Sequence, residues 1–413
     1  MVLKIVIAAM AHTLTAAATP EDSATVHRVE VEAVPGLILK TNDFLRGNND
    51  EVRTMNHAFT AKVKYAFAPP SGSMEAKLYK GVYQGVGLAY HDLNPQLGHP
   101  VSLFLFQGAT IKTLFRRLSL DYEWNLGLAY GWNSHDAESH PDNHVIGSKM
   151  TAHINVDLYL RYRLSKKWDL NLGASITHYS NGNTSFPNAG LNIAGIKASA
   201  AYYFNRRPEL DERNLEDSLL FTHNFVDFCH DSAKQASLMA LAAPKVHSSL
   251  SKWVWDLTLY GAWKRKGIEA ETRSYAIPGK YGVVGLSLNP LYRINRWLNV
   301  GPSFDMSYDS SANMEIDIPK DREPTEEDVH MAPWHKRVAI GLSGRVEFVM
   351  PHFTINFGIG HNVVNAKTDD LKGFYEMLAL KIHILRKSYI HIGYSLYDFY
   401  YPNNLMLGLG VHL

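Results

Sequence analysis

Met150-Thr151-Ala152-His153-Ile154-Asn155-Val156-Asp157-Leu158-Tyr159-Leu160-Arg161-Tyr162-Arg163-Leu164 decides how the rest of the chain is read. Its even positions are apolar throughout (Met150, Ala152, Ile154, Val156, Leu158, Leu160, Tyr162, Leu164), and its odd positions carry His153, Asn155, Asp157, Arg161 and Arg163. A two-residue period puts these sets on opposite faces of one extended strand. The same alternation runs from Leu118 to Tyr130, where Leu118, Leu120, Tyr122, Trp124, Leu126, Leu128 and Tyr130 oppose Ser119, Asp121, Glu123, Asn125 and Gly127. It recurs from Val338 to Met350, with Ile340, Leu342, Val346 and Phe348 opposing Ser343, Arg345 and Glu347.

A soluble antiparallel sheet also alternates, so the solvent on the apolar side must be argued separately. Strands are predicted near 29–40, 57–68, 82–92, 101–112, 116–131, 150–164, 167–180, 190–204, 253–264, 282–293, 297–308, 338–350, 353–365, 375–385, 388–398 and 404–412. Most exceed the usual ~5–6 residues of soluble strands and reach the ~9–11 needed to cross a bilayer at a tilt. The chain holds 22 Tyr and 8 Trp, many near strand ends, where amphipathic rings suit the headgroup boundary. Connections alternate between long (41–56, 132–147, 265–281, 309–337) and tight (113–115, 165–166, 294–296, 351–352, 386–387), the pattern of external loops and periplasmic turns. The fold expected is therefore all-β: an antiparallel transmembrane outer-membrane β-barrel. One barrel of about 14–16 strands is expected ahead of two tandem eight-stranded barrels, on a strand count that permits either. Segment 205–252 breaks the loop rule and divides the strands into halves. Those halves echo each other, Gly173-Ala174-Ser175-Ile176-Thr177-His178-Tyr179 with Pro187-Asn188 matching Gly393-Tyr394-Ser395-Leu396-Tyr397-Asp398-Phe399 with Pro402-Asn403.

Composition narrows the function. Among 413 residues, 41 Lys+Arg against 40 Asp+Glu leave a formal charge of +1, so no electrostatic case for nucleic acid arises. Hydrophobic residues make up 46%, too many for a disordered chain. The lone Cys229 excludes an intrachain disulfide and finger-type zinc. After the first twenty residues no apolar run is long enough for a spanning helix. Lys4, the apolar run Ile5 to Met10 and the small residues Ala16-Ala17-Ala18 are read as a signal peptide over 1–18, which implies export.

In the strand Trp168 to Ser180, Trp168, Leu170, Leu172, Ala174 and Ile176 share a face with His178 and Ser180. Their Cα atoms lie roughly 6.6 Å apart on the lipid side, close enough for an imidazole to reach a hydroxyl and act as its base. The following strand, with Ala194, Ile196, Ala198, Ala200, Tyr202 and Phe204 outward, puts Asn192 on that same side near the same rim. If odd strands climb outward, the rim faces the outer leaflet. The alternative is two tolerated polar residues at the interface, where the cost is only ~0–1 kcal/mol.

His178-Tyr179-Ser180-Asn181-Gly182-Asn183-Thr184-Ser185-Phe186-Pro187-Asn188-Ala189-Gly190-Leu191-Asn192, after a Gly-rich strand and before another, resembles the active-site segment of the lipid A 3-O-deacylases, the PagL-like outer-membrane esterases. The resemblance covers about residues 29–205 and is motif-specific around 173–192. It implies an eight-stranded barrel in the Gram-negative outer membrane that removes an ester-linked acyl chain from lipid A or lipopolysaccharide, with Ser180 as nucleophile, His178 as base, Asn181 as oxyanion donor and Gly182 as a backbone donor beside it. Where the family implies an acidic residue to orient the histidine, Asn192 stands here. An amide accepts a hydrogen bond from imidazole but stabilises imidazolium less than a carboxylate does, so a reduced rate is expected. In the second half Asp398 and Tyr400 replace His178 and Ser180, so a duplicate esterase site is not expected.

The domains are thus read as the signal peptide 1–18, a deacylase-like barrel region 19–205 with the catalytic motif, a linker or plug 206–252, and a non-catalytic second half 253–413. No cofactor or metal is called for. The partners expected are lipid A or lipopolysaccharide of the outer leaflet and the membrane itself, with no nucleic acid; the sequence carries no signature of oligomeric state. Rival readings are an outer-membrane phospholipase and a non-enzymatic pore or structural barrel. His135, Asp136, Glu138, His140, Asp142 and His144 form a cluster that could take a divalent cation or lipid phosphate, or could simply be a solvated loop. His153, Asp157, Arg161, Arg163, Arg345, Glu347, Lys381 and His383 are read as an ionic network filling a barrel interior.

Overall fold

The computed structural model describes residues 25–206 and 252–413, apart from loop positions 71–72, 137, 271–272, 320–321, 323, 351, 369, 372, 386 and 399–400. The signal peptide reading and most of segment 206–252 lie outside the described residues. No helix among those described is long and apolar enough to cross a membrane.

All sixteen long strands expected from the alternation form. They are β1 (Val26–Ile38), β2 (His57–Ala68), β3 (Tyr83–Asp92), β4 (Gly98–Phe115), β5 (Leu118–Trp132), β6 (Met150–Arg163), β7 (Trp168–Ser180), β8 (Leu191–Tyr203), β9 (Trp253–Lys264), then, after a short ribbon of β10 (Gly267–Ala270) and β11 (Arg273–Ala276), β12 (Tyr281–Arg293) and β13 (Leu298–Asp309). A second ribbon, β14 (Glu315–Ile316) with β15 (Val329–His330), precedes β16 (Val338–Val349), β17 (Phe353–Val364), β18 (Phe374–Leu385), β19 (Ser388–Tyr397) and β20 (Tyr401–His412).

These strands close into two separate barrels, and the single larger barrel expected first does not form. β1 pairs antiparallel with β8, Arg28 opposite Tyr203 and Ala33 opposite Ala198, which completes an eight-stranded ring. β20 pairs with β9, Leu407 opposite Gly261, and completes a second ring of β9, β12, β13 and β16–β20. Segment 205–252 therefore connects two rings.

The inward faces explain why eight strands suffice. An eight-stranded barrel has an interior just wide enough to be filled by side chains. In the first barrel Lys64 Nζ lies 2.6 Å from Glu32 and 2.8 Å from Glu123, and Lys197 Nζ lies 2.9 Å from Asp157. Tyr159, Tyr179, Phe104 and Phe106 fill the remaining space. In the second, Lys381 bridges Asp256 and Glu347, and Arg345 reaches Asp305 at 2.7 Å. Buried charges are tolerable only when paired in this way. The outward faces are apolar and exposed: Leu172, Ile176 and Ile196 on the first barrel and Leu259, Ile359 and Leu409 on the second are each more than half exposed. A soluble surface rarely presents contiguous apolar area on that scale, whereas lipid requires it.

One stretch of outward surface is not exposed. Trp124 of β5 stacks edge-on against Phe353 of β17, ring centroids 5.5 Å apart, and Leu380, Ile382, Ile390 and Ile392 of the second barrel pack against Leu105, Tyr122 and Leu126 of the first. The barrels thus lie side by side along an apolar seam. Gln107, also outward and fully buried there, accepts the Trp124 indole N–H at 2.6 Å, as a polar group out of reach of water must.

Candidate active site

β7 keeps strict alternation to its last residue. Ser175, Thr177 and Tyr179 turn inward, and Tyr179 hydrogen-bonds His91 across the lumen. Leu172, Ala174 and Ile176 are exposed on the outside, so His178 and Ser180 stand on the outer face. The register sets His178 directly opposite Asn192 of β8, and Ser180 opposite Ala152 of β6. His178 Nδ1 lies 2.8 Å from the Asn192 side-chain oxygen. An amide oxygen can only accept, so this contact places the ring proton on Nδ1 and leaves Nε2 as a lone-pair base.

The loop 181–190 links β7 to β8 on the rim that carries the long connections. At its start Gly182 has φ +61°, a left-handed turn that a side chain resists, and this turn aims the Gly182 N–H at Ser180 Oγ, 3.1 Å away. The Asn188 amide lies against the same oxygen, Nδ2 at 2.9 Å and Oδ1 at 3.2 Å. Asn188 Oδ1 also accepts the Asn181 N–H at 3.0 Å, which folds the loop back on itself. One proton of the Asn181 side-chain amide goes to the Ser185 carbonyl at 2.9 Å. Ser180 Oγ is thus surrounded by hydrogen-bond donors, and the residue as a whole is only 2% exposed.

The sequence-selected residues His178, Ser180, Asn192, Asn181 and Gly182 therefore gather at one rim. His178 and Ser180 share a face, yet no hydrogen bond joins them: the imidazole is tied to Asn192 and the hydroxyl to Asn188, Gly182 and Tyr394. Asn188 and Tyr394 are the two contacts that the sequence reading missed. A signal for Asn188 was present in the repeated Pro187-Asn188 and Pro402-Asn403. For Tyr394 there was none, because it comes from β19 of the other barrel, its hydroxyl 3.2 Å from Ser180 Oγ.

The acidic and histidine-rich loop after β5 serves as a buttress. Asp136 Oδ1 accepts the Glu138 and Ser139 backbone N–H groups and the Ser139 hydroxyl, which hold its carboxyl below the usual range. Burial and the nearby His144 lower the His135 imidazole. Backbone bonds from Ala189 N to His144 O and from Gly190 N to Val145 O tie this loop to the site. Among the described residues the three-ligand convergence is Glu32, Glu123 and Asp157 in the lumen, where lysine ammonium groups already neutralise the carboxylates. Of the residues expected in a lumen network, Asp157, Arg161, Arg345, Glu347 and Lys381 are ion-paired, whereas His153 stacks on Phe104 and His383 bonds Thr354. In the second barrel β19 occupies the same place as β7 in its ring. Asp398 there accepts the Phe374 N–H at 3.0 Å, while Tyr400 lies outside the described residues.

Two families match the chain, one on each barrel. Residues 60–201 match the lipid A 3-O-deacylase (PagL) family, and residues 253–413 match the acyloxyacyl hydrolase C-terminal domain. No match is found among curated proteins. Solved structures similar to part of the chain include Neisserial surface protein A (10% identity, covering 44% of this chain and 99% of that one, TM-score 0.30). The outer membrane enzyme PagL is another (12% identity, 41% and 97%, TM-score 0.29), as is the N-terminal β-barrel domain of Pseudomonas aeruginosa OprF (15% identity, 43% and 97%, TM-score 0.25). The family matches fall on the two rings separately, the deacylase on the one that carries His178 and Ser180. The first barrel thus carries the lipid A 3-O-deacylase match and the second the acyloxyacyl hydrolase C-terminal domain match, which together mark the chain as an ester hydrolase of the Gram-negative outer membrane.

Proposed function

We propose that the first barrel hydrolyses an ester-linked acyl chain of lipid A in the outer leaflet, with Ser180 as nucleophile and His178 as general base. The observation that carries this reading is the placement of both side chains on the outward face of β7 at the long-loop rim, where a membrane lipid arrives sideways and no aqueous pocket is needed. His178, oriented through Nδ1 by Asn192, takes the serine proton on Nε2 once the hydroxyl swings from Asn188 to the imidazole. Ser180 Oγ attacks the ester carbonyl. The Gly182 N–H and the Asn188 amide, both seated against Ser180 Oγ, and the remaining proton of the Asn181 amide are the donors that take up the negative charge collecting on the carbonyl oxygen. His178 then returns the proton to the departing alkoxide, and water, deprotonated by the same imidazole, hydrolyses the acyl-enzyme. The second barrel carries no independent esterase site in this reading, since Asp398 and Tyr400 stand where a histidine and serine would be needed.

Mass spectrometry of lipid A and phospholipid from cells producing the native protein, His178→Ala or Ser180→Ala provides the test. Loss of one hydroxyacyl mass from lipid A with the native protein alone is expected. Shortened phospholipids with intact lipid A would replace this reading with the phospholipase one.

A further inference from the structure

Ser180 is almost fully buried although it faces out of its barrel, and part of what covers it is the other barrel. Tyr394 stands on the outward face of β19, between inward-turned Gly393 and Ser395. Its hydroxyl lies 3.2 Å from Ser180 Oγ, and its ring centroid is 6.5 Å from that of His178. The contact is held by a local framework. Arg265 N–H donates to the Asn183 carbonyl at 2.8 Å, and Leu405 packs so closely on the catalytic turn that a Cβ on Gly182 would lie 2.7 Å from its own Cβ. The turn that follows the nucleophile is thus fixed from both barrels, and within the seam the Tyr394 phenol takes Ser180 Oγ as its partner.

We propose that Tyr394 is a catalytic residue of the ester-cleaving site, supplied by the second barrel. This inference rests on the Ser180 reading above and extends it. A phenol is a neutral, strong donor that keeps its proton at working pH. When the Ser180 Oγ–carbon bond forms, the carbonyl π pair moves to oxygen and the serine proton passes to His178 Nε2; Tyr394 turns its O–H from Oγ to the new oxyanion, only a bond angle away, and donates a hydrogen bond without transferring its proton. The C–O bond to the departing alkoxide then breaks, His178 protonates that alkoxide, and Tyr394 returns to Oγ of the ester. Removing one donor of this kind costs about 10²–10³ in kcat where it is a principal oxyanion donor. With Gly182 and Asn188 beside it, about tenfold is expected for Tyr394.

The test uses the full-length protein in detergent micelles, native and Tyr394→Phe, with a fluorophosphonate probe and lipid A as substrate. Folding of each is checked by heat-modifiable electrophoretic mobility. The expected result is probe attachment at Ser180 in the native protein, located by mass spectrometry, with attachment slowed and kcat lowered about tenfold in Tyr394→Phe while KM changes less than twofold. Equal labelling and equal kcat, or a faster Tyr394→Phe, would overturn the proposal for Tyr394 and leave Ser180 standing. Absence of probe from Ser180 in the native protein would instead overturn the serine reading on which it depends. A Tyr394→Phe that raised KM alone would also count against it, since a seam contact that merely shapes lipid access would do that.

Discussion

His178 Nδ1 and the Asn192 side-chain oxygen, 2.8 Å apart, sit directly opposite each other on neighbouring strands. That pairing fixes the ring and its tautomer, but it sets a neutral amide where a carboxylate would stabilise the imidazolium formed during attack. Asn192→Asp is therefore expected to raise kcat, by about tenfold, against the ~10⁴ by which the reverse change slows a serine-histidine-aspartate triad. Asn192→Ala, which frees the ring, is expected to lower it. Steady-state release of fatty acid from lipid A by the two variants decides the matter, and a slower Asn192→Asp would mean that the amide is not this histidine's orienting partner.

Gly182 ties the turn to the seam. Its φ of +61° disfavours a side chain, and the space where a Cβ would go is occupied by Leu405. Gly182→Ala is expected to cut activity at least tenfold by shifting the N–H aimed at Ser180, with both barrels still folded. Leu405→Gly added to Gly182→Ala takes away the Leu405 Cβ that the new methyl would meet but not the backbone strain, so partial recovery of rate is expected.

Lys64 lies within 3.0 Å of Glu30, Glu32 and Glu123, all buried. Lys64→Met leaves these carboxylates short of one positive charge, and breaking a buried pair by removing one partner costs about 3–5 kcal/mol. Urea unfolding in detergent, followed by tryptophan fluorescence, is expected to show a midpoint well below that of the native protein. An unchanged midpoint would mean that Lys62 and Lys197 suffice without it.

Both lumens are crossed by ion pairs, Lys64 with Glu123 in the first barrel and Arg345 with Asp305 in the second, and an eight-stranded barrel is just wide enough for its side chains to fill. Native protein in a planar lipid bilayer is expected to give no stepwise conductance, and Ser180→Ala none either. Steady channel openings in both, with lipid A left intact, would restore the pore reading.

Much of this protein was legible in one dimension. A two-residue period over more than ten residues specifies a long strand with one apolar face, because successive side chains must leave opposite sides of an extended backbone. Parity alone therefore placed Leu172, Ile176, His178 and Ser180 outside and Thr177 and Tyr179 inside. It also set Asn192 beside His178, since strands joined by one loop pair in a register fixed by that pattern. Alternation says nothing, however, about which strand an edge strand will find as its partner. Whether Arg28 pairs with Tyr203 or β8 pairs onward with β9 depends on what fills the ring, and here Lys64, Glu123, Asp157 and Lys197, from four different strands, meet at one point only if the ring has eight. The partnership of Ser180 with Tyr394, 214 positions away, depends in turn on how two finished barrels pack. Local periodicity fixes the face on which a residue stands, whereas contacts between distant residues are chosen by the packing of whole surfaces, and that choice exists only in three dimensions.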